Sequence, residues 1–281
     1  MQSGKGAFIG ALFHGAGWGY DGCTFGRTME LRVLGCSGGE AEGERLTCLL
    51  VNDWLAIDAG CLTQALSPAE QIRVRHIFLT HSHLDHICTL PFFTKNIFGH
   101  VSTPVEIHAL PETLDALRRH LFNDELWPDF SVIPSPDNPI IRYSEIRPGQ
   151  IFELDGLRIT PIAVNHLVPC VGYRIEDDHS AFLFTSDTAE TDEVYAVANA
   201  TDNLRLFITE ASFPNEQAWL ADASKHLTPG KLALELNKLK PGIPVGVFHL
   251  TPGDRAVMLP QIEAISRKDV SLLNQNARYL W

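Results

Sequence analysis

The stretch His76-Ile77-Phe78-Leu79-Thr80-His81-Ser82-His83-Leu84-Asp85-His86 decides how this chain is read. Its first half is a short apolar run, the pattern of a buried strand. Its second half puts three imidazoles and a carboxylate within six residues, where the strand ends. Imidazole and carboxylate together suit zinc, manganese or iron. In an extended loop His81 and His83 point to one side. Asp85 and His86 then open a helix, predicted to run through Phe98, and face a second position. One short segment can thus serve two adjacent metal ions.

Outward from this loop, other chemistry-bearing residues also stand at predicted strand ends. Asp58 closes Trp54–Ile57, the second arm of a hairpin that begins at Thr47–Val51 and bends at Asn52-Asp53. His166 follows Leu157–Val164, the partner of Ile151–Leu154 in a hairpin turned at Asp155-Gly156. Asp187 follows Ser180–Thr185, which is joined to Cys170–Glu176. Glu210 follows Leu204–Thr209, and His249 follows Val245–Phe248. Helices are predicted over 112–121, 190–200, 228–239 and 257–265. Ser67-Pro68 and Thr228-Pro229 have the form of an N-cap followed by proline at the first helical position. The stretch 123–139, rich in Pro, Asp and Ser, reads as irregular. Strands in two batches, each mixed with helices, imply two mixed sheets packed together with helices outside.

H-x-H-x-D-H after an apolar strand resembles the metallo-β-lactamase superfamily. Asp58, His166, Asp187 and His249 match its remaining motifs in order. His166 or His249 alone would carry little; the ordered set is specific and spans nearly all of 29–265. The resemblance implies an α/β (α+β) fold, a four-layer αββα sandwich of two mixed β-sheets. It implies one divalent ion on His81, His83 and His166, and a second on Asp85, His86 and His249. Asp187 bridges them, and Asp58 orients the histidine loop from behind. Zinc is the expected metal, with manganese or iron as alternatives, and a hydroxide held between two such ions is available at neutral pH.

Thr209-Glu210-Ala211-Ser212-Phe213 and Ser224-Lys225-His226-Leu227-Thr228-Pro229 resemble the phosphodiesterase branch of that superfamily, which includes tRNA 3′-processing endonucleases and class II cyclic-nucleotide phosphodiesterases. There the matching glutamate and histidine form a dyad near the scissile phosphate. The implied catalytic residues are Asp85, His226 and Glu210. Ser37, Gly38 and Gly39 are expected to line the phosphate with backbone N–H groups. Cys88-Thr89 stand where the superfamily commonly has glycines.

Composition narrows the substrate. The 281 residues carry 34 acids against 22 bases, a net charge of −12. That argues against a chain living on nucleic-acid backbones. The 111–150 region has four arginines, no lysine and seven acids, and the long basic arm of the tRNA endonucleases is not seen. The expectation is hydrolysis of a small 3′,5′-cyclic nucleotide, cAMP to 5′-AMP. No large nucleic acid and no membrane are expected as partners, and a homodimer is the assembly common in the branch. Alternatives are RNA-end, thioester or lactone hydrolysis, a binding module, or a diiron redox protein.

The six cysteines lack C-x-x-C spacing and read as buried thiols in a reducing compartment. Residues 1–28 read as an N-terminal extension to a single domain over 29–281. Met29 stands directly before the first strand pattern. A cytoplasmic location is expected, or a periplasmic one if the apolar run 7–13 belongs to a signal peptide.

Overall fold

A computed structural model describes residues 28–281 of the chain. Of the extension expected over 1–28, residues 1–27 lie outside the described residues. Among the described residues, fourteen strands form two seven-stranded sheets packed face to face, with helices outside. The first sheet holds β1 (Glu30–Gly35), β2 (Cys48–Val51), β3 (Leu55–Ile57), β4 (His76–Phe78), β5 (Val105–Ala109) and β6 (Ile141–Glu145). The second holds β7 (Phe152–Leu154), β8 (Leu157–Ala163), β9 (Val171–Glu176), β10 (Ala181–Phe184), β11 (Leu204–Glu210), β12 (Val245–Phe248) and β13 (Val270–Leu272). The last strand, β14 (Arg278–Leu280), returns to pair with β1. The expected αββα sandwich is the observed fold.

Each sheet is antiparallel on one side and parallel on the other. In the first, β3, β4, β5 and β6 run parallel. In the second, β10, β11, β12 and β13 do. Parallel strands end at the same edge, and loops at the carboxyl ends of such strands are where α/β folds assemble sites. That edge carries Asp58, the histidine loop, Asp187, Glu210 and His249.

Between the sheets lies an apolar layer built from Phe78, Tyr173, Phe182, Phe184, Ile208 and Phe248. Each outer face is covered by helices over its own cluster. Tyr173 crosses the layer: its hydroxyl donates to the Leu79 carbonyl at 2.6 Å. A buried tyrosine hydroxyl needs such a partner. Here the bond ties the second sheet to the base of the histidine loop.

The Asn52-Asp53 and Asp155-Gly156 turns have positive φ at both residues, as tight hairpins require. Ser67 caps its helix in a reciprocal box with Glu70. The helix expected after His86 is two pieces, Leu84–Ile87 and Leu90–Ile97. The break comes at Thr89, whose N–H and hydroxyl both donate to the Ala59 carbonyl, at 3.1 and 2.6 Å. Helix 193–200 starts later than expected, and 229–235 continues as a 3₁₀ turn over 236–238. Sequence reading did not identify β6, β13, β14 or the helix Ala218–Ser224. These are short and carry mixed polar positions, so period alone does not separate them from loop. The described cysteines 36, 48, 61, 88 and 170 are free thiols. Among the described residues no helix is long and apolar enough to cross a membrane.

Candidate metal centre and active site

At the edge that carries the site, three strands are followed by a non-glycine residue with left-handed backbone. Asp58 has φ 59° after β3, Ser186 58° after β10, and His249 68° after β12. Such conformations cost on the order of 1 kcal/mol each and persist where surrounding structure over-determines them. All three re-aim the chain at one point above the sandwich. His249 is pinned there by its N–H on the Cys36 carbonyl at 2.8 Å.

The donors converge in two groups that share one carboxylate. His81, His83, His166 and Asp187 form the first; Asp85, His86, His249 and Asp187 form the second. In each group the donor atoms lie within 4.8 Å of one another. Asp187 Oδ2 is 3.6 Å from His81 Nε2 and 3.3 Å from His86 Nε2. Its Oδ1 is 3.3 Å from His249 Nε2, which is 3.2 Å from Asp85 Oδ2. His166 Nε2 and His83 Nδ1 are 3.1 Å apart. Bonds of about 2.0–2.2 Å to a tetrahedral ion space its donors roughly 3.3–3.6 Å apart. The closest donor pairs, at 3.1–3.6 Å, lie near that spacing.

A second observation points the same way. His81 Nε2, His86 Nε2 and Asp187 Oδ1 are buried and, among the described residues, have no hydrogen-bond partner. Orphaned buried polar atoms cost about 1–3 kcal/mol apiece. Three of them face one spot, where cations between them would satisfy all three. The donor set, histidine and carboxylate without thiolate, suits zinc, manganese or iron.

The far nitrogen is held in four of the five rings, those of His81, His86, His166 and His249, which fixes each ring and its tautomer. His86 Nδ1 meets Asp58 Oδ2 at 2.7 Å. Asp58 Oδ1 accepts from the Thr80 N–H at 2.8 Å and from its hydroxyl at 3.0 Å. Thr80 Oγ1 is also 3.0 Å from His81 Nδ1. His166 Nδ1 meets the Lys225 carbonyl at 3.1 Å, and His249 Nδ1 meets Ser212 Oγ at 2.9 Å. Burial, then the neighbouring His86, pushes His81 well below the usual histidine range, which keeps it neutral as a ligand must be. Burial works to raise Asp187, but His249, His86 and His81 hold it well below the usual carboxylate range.

Beside the second group stands a separate dyad. Glu210, fully buried, accepts from His226 Nδ1 at 2.7 Å, from the Ser212 hydroxyl at 2.7 Å and from the Thr188 N–H at 3.0 Å. The His226 ring stacks 5.3 Å from His249 and lies 5.0 Å from His166. Burial works to lower His226, but the Glu210 charge and hydrogen bond outweigh it and push it to about 9.

One expected group is placed differently. Ser37 and Gly38 do not offer N–H groups to a phosphate. The Ser37 N–H donates to the Arg45 carbonyl at 3.0 Å and the Gly38 N–H to the Leu250 carbonyl at 3.2 Å. Gly38 backs onto His249: a Cβ there would lie 2.5 Å from its carbonyl oxygen and 2.7 Å from its Nδ1. The glycine cluster therefore makes room for a ring, with the half-buried Gly39 following it. Thr80, Ser212 and Lys225 were not singled out from sequence. Hydroxyls and a lysine carbonyl carry no spacing signature, although each neighbours a residue that does.

Cys88 and Thr89 also gain a role. Cys88 Sγ donates to the Gly60 carbonyl at 3.1 Å, next to the Thr89 contact with Ala59. Both side chains lock the histidine loop onto the Ala59-Gly60 turn.

A family model described as a β-lactamase superfamily domain matches residues 50–249. The chain belongs to the metallo-β-lactamase superfamily, and its fold and ligand-type clusters define a metal-dependent hydrolase of that superfamily. It is 25% identical over 278 residues to a probable 3′,5′-cyclic-nucleotide phosphodiesterase of Yersinia pestis, covering 80% of this chain and 78% of that one. It is 30% identical over 178 residues to ribonuclease BN of Proteus mirabilis, covering 59% of this chain and 55% of that one. The structure of unliganded yeast PDE1 matches with a TM-score of 0.76 at 19% identity, over 91% of this chain and 99% of that one.

Proposed function

We propose that the chain is a binuclear phosphodiesterase that hydrolyses 3′,5′-cyclic nucleotides, with cAMP converted to 5′-AMP. The observation that carries this reading is the His226–Glu210 pair, bonded at 2.7 Å and set beside two adjacent ligand clusters. In the proposal His81, His83 and His166 hold one ion, Asp85, His86 and His249 the other, and Asp187 both. Two divalent ions there, zinc in the first instance, supply Lewis acidity toward phosphate oxygens and an activated water. Glu210 holds the Nδ1 proton of His226 and orients the ring. The remaining ring nitrogen is the donor to the departing 3′-oxygen, a poor leaving group that needs a proton. Asp85 sits within the ligand set, so His226 takes the acid role. Support for a small substrate comes from the net charge of −12 and the lysine-free 111–150 region. The similarity to the Yersinia pestis protein, which covers most of both chains, supports the cyclic substrate.

The likeness to ribonuclease BN favours a second reading, endonucleolytic cleavage at RNA 3′ ends. One preparation, with its metal counted by mass spectrometry, is given cAMP, cGMP, bis-p-nitrophenyl phosphate and a precursor tRNA. Two metals per chain with cyclic-nucleotide turnover is the expected result. Cleavage of the tRNA alone would replace the proposal with the second reading. His226→Ala should keep both metals and lose about 10²–10⁴-fold in cAMP turnover. It should lose far less on bis-p-nitrophenyl phosphate, whose leaving group needs no proton. Equal losses on both substrates would remove the acid role. We further propose a cytoplasmic homodimer whose partner is the nucleotide alone; light scattering of the purified protein tests the assembly.

A further inference from the structure

We propose that Lys225 is a positioning residue, and that it acts through its backbone. It closes a helix in a conformation that orients His166 and His226 together. This rests on the reading of His166 as a metal ligand and His226 as the proton donor.

The helix Ala218–Ser224 ends at Lys225, which has φ 56° and ψ 55°. The Lys225 N–H donates to the Asp222 carbonyl at 3.3 Å, and the His226 N–H to the Ala221 carbonyl at 2.8 Å. This pair of bonds is the Schellman closure of a helix, in which the left-handed position usually belongs to glycine. A lysine there is strained by the contact of its Cβ with the following carbonyl. Among the described residues its ammonium makes no ion pair, while Lys231 and Lys238 nearby each make more than one. The side chain therefore does not explain the conformation. The backbone does two things at this turn. It directs the Lys225 carbonyl to His166 Nδ1 at 3.1 Å. It also delivers the next residue, His226, onto Glu210 at 2.7 Å. A right-handed residue 225 would continue the helix, turn that carbonyl along its axis and carry His226 away from Glu210. One left-handed residue thus sets a ring of the first ligand cluster and the ring of the dyad, although the two histidines are sixty positions apart in sequence.

The test compares Lys225→Gly, Lys225→Asn and Lys225→Val, each purified with both metals supplied. Glycine and asparagine adopt the left-handed conformation readily; valine, β-branched, does not. Lys225→Gly and Lys225→Asn should retain two metals per chain and wild-type turnover, with Lys225→Gly melting no lower than wild type. Lys225→Val should fall toward one metal per chain and lose at least about 10-fold in metal affinity at the first cluster. Loss of metal in Lys225→Gly would overturn the proposal, since the side chain would then be carrying the effect. A folded Lys225→Val with two metals and full turnover would overturn it as well. Should Lys225→Val not fold, nitrogen-15 NMR of the metal-free wild-type protein decides. The proposal requires His166 to carry its proton on Nδ1, and a proton on Nε2 would overturn it. Metal count and tautomer are read without substrate. A failure of the cyclic-nucleotide reading would leave them intact, so the two failures are distinguishable.

Discussion

Asp187 is where the two ligand groups meet: one carboxylate faces His81, His86 and His249. Asp187→Ala removes a donor from both groups at once. It should lose metal and turnover together, with metal counted by mass spectrometry on the protein as purified; full occupancy would contradict a shared ligand. Asp58 acts at one remove. Its charge holds the Nδ1 proton of His86 while Thr80 fills its other oxygen. Asp58→Asn keeps the shape and loses the charge, so metal should bind about 10–100-fold more weakly in a chelator competition. Both aspartates were legible in sequence, because each follows an apolar run that ends abruptly. Ser212, which bridges Glu210 and His249, was not. A serine is common after any strand, and only its neighbours in space give it meaning.

At the scale of elements, the site is made by how strands end. Left-handed residues after β3, β10 and β12 turn the chain at the site, and a fourth, Lys225, turns it after a helix and directs its carbonyl to His166. Each stands singly at the end of a strand or helix and not as a two-residue hairpin turn, so the rules that read Asn52-Asp53 and Asp155-Gly156 pass over them. The glycine cluster at 35–39 was legible as a turn, but not its purpose. Gly38→Ala should crowd His249 by placing a Cβ 2.7 Å from its Nδ1. We expect about 1–3 kcal/mol of destabilisation in chemical unfolding, as for other overpacked sites, together with weaker metal binding at the second cluster. An unchanged midpoint and metal count would show that the glycine is only a turn. The helix break at Thr89 has the same kind of origin. Its hydrogen bonds go to Ala59, far off in sequence, and so helical period could not reveal it.

The whole molecule depends on the seam between the sheets, and a histidine is packed into that seam. His108 on β5 stacks on Phe78 at 4.1 Å, and its Nε2 lies 3.0 Å from His76 Nδ1. Burial, then His76, lowers it to about 3. The unfolded chain takes up a proton at His108 as pH falls through about 6.5, whereas the folded chain holds it neutral until about 3. The unfolded state therefore binds more protons in that window. Stability contributed by the neutral ring is complete above about 6.5 and is lost as pH falls toward 3, by on the order of 1 kcal/mol per pH unit. His108→Phe should flatten this part of the curve, so that the gap between variant and wild type changes between pH 7 and 5. Parallel curves in urea titrations at the two values would rule the assignment out.

The sequence by itself determined the class of this protein. The alternation and length of its apolar runs point to two mixed sheets, and the acids and histidines that follow those runs match, as an ordered set, the motifs of the metallo-β-lactamase superfamily. Both are local signals, carried by a residue and its neighbours in the chain. Only the tertiary structure decided what holds that set in place. The Lys225 carbonyl behind His166, Ser212 between Glu210 and His249, and Gly38 against His249 join residues from separate elements. Such contacts arise when parallel strand ends are brought to one edge, and nothing in local spacing encodes them. The Ser37 and Gly38 N–H groups, expected to face a phosphate, are taken by the Arg45 and Leu250 carbonyls for the same reason: which N–H groups stay free depends on which distant carbonyls reach them first.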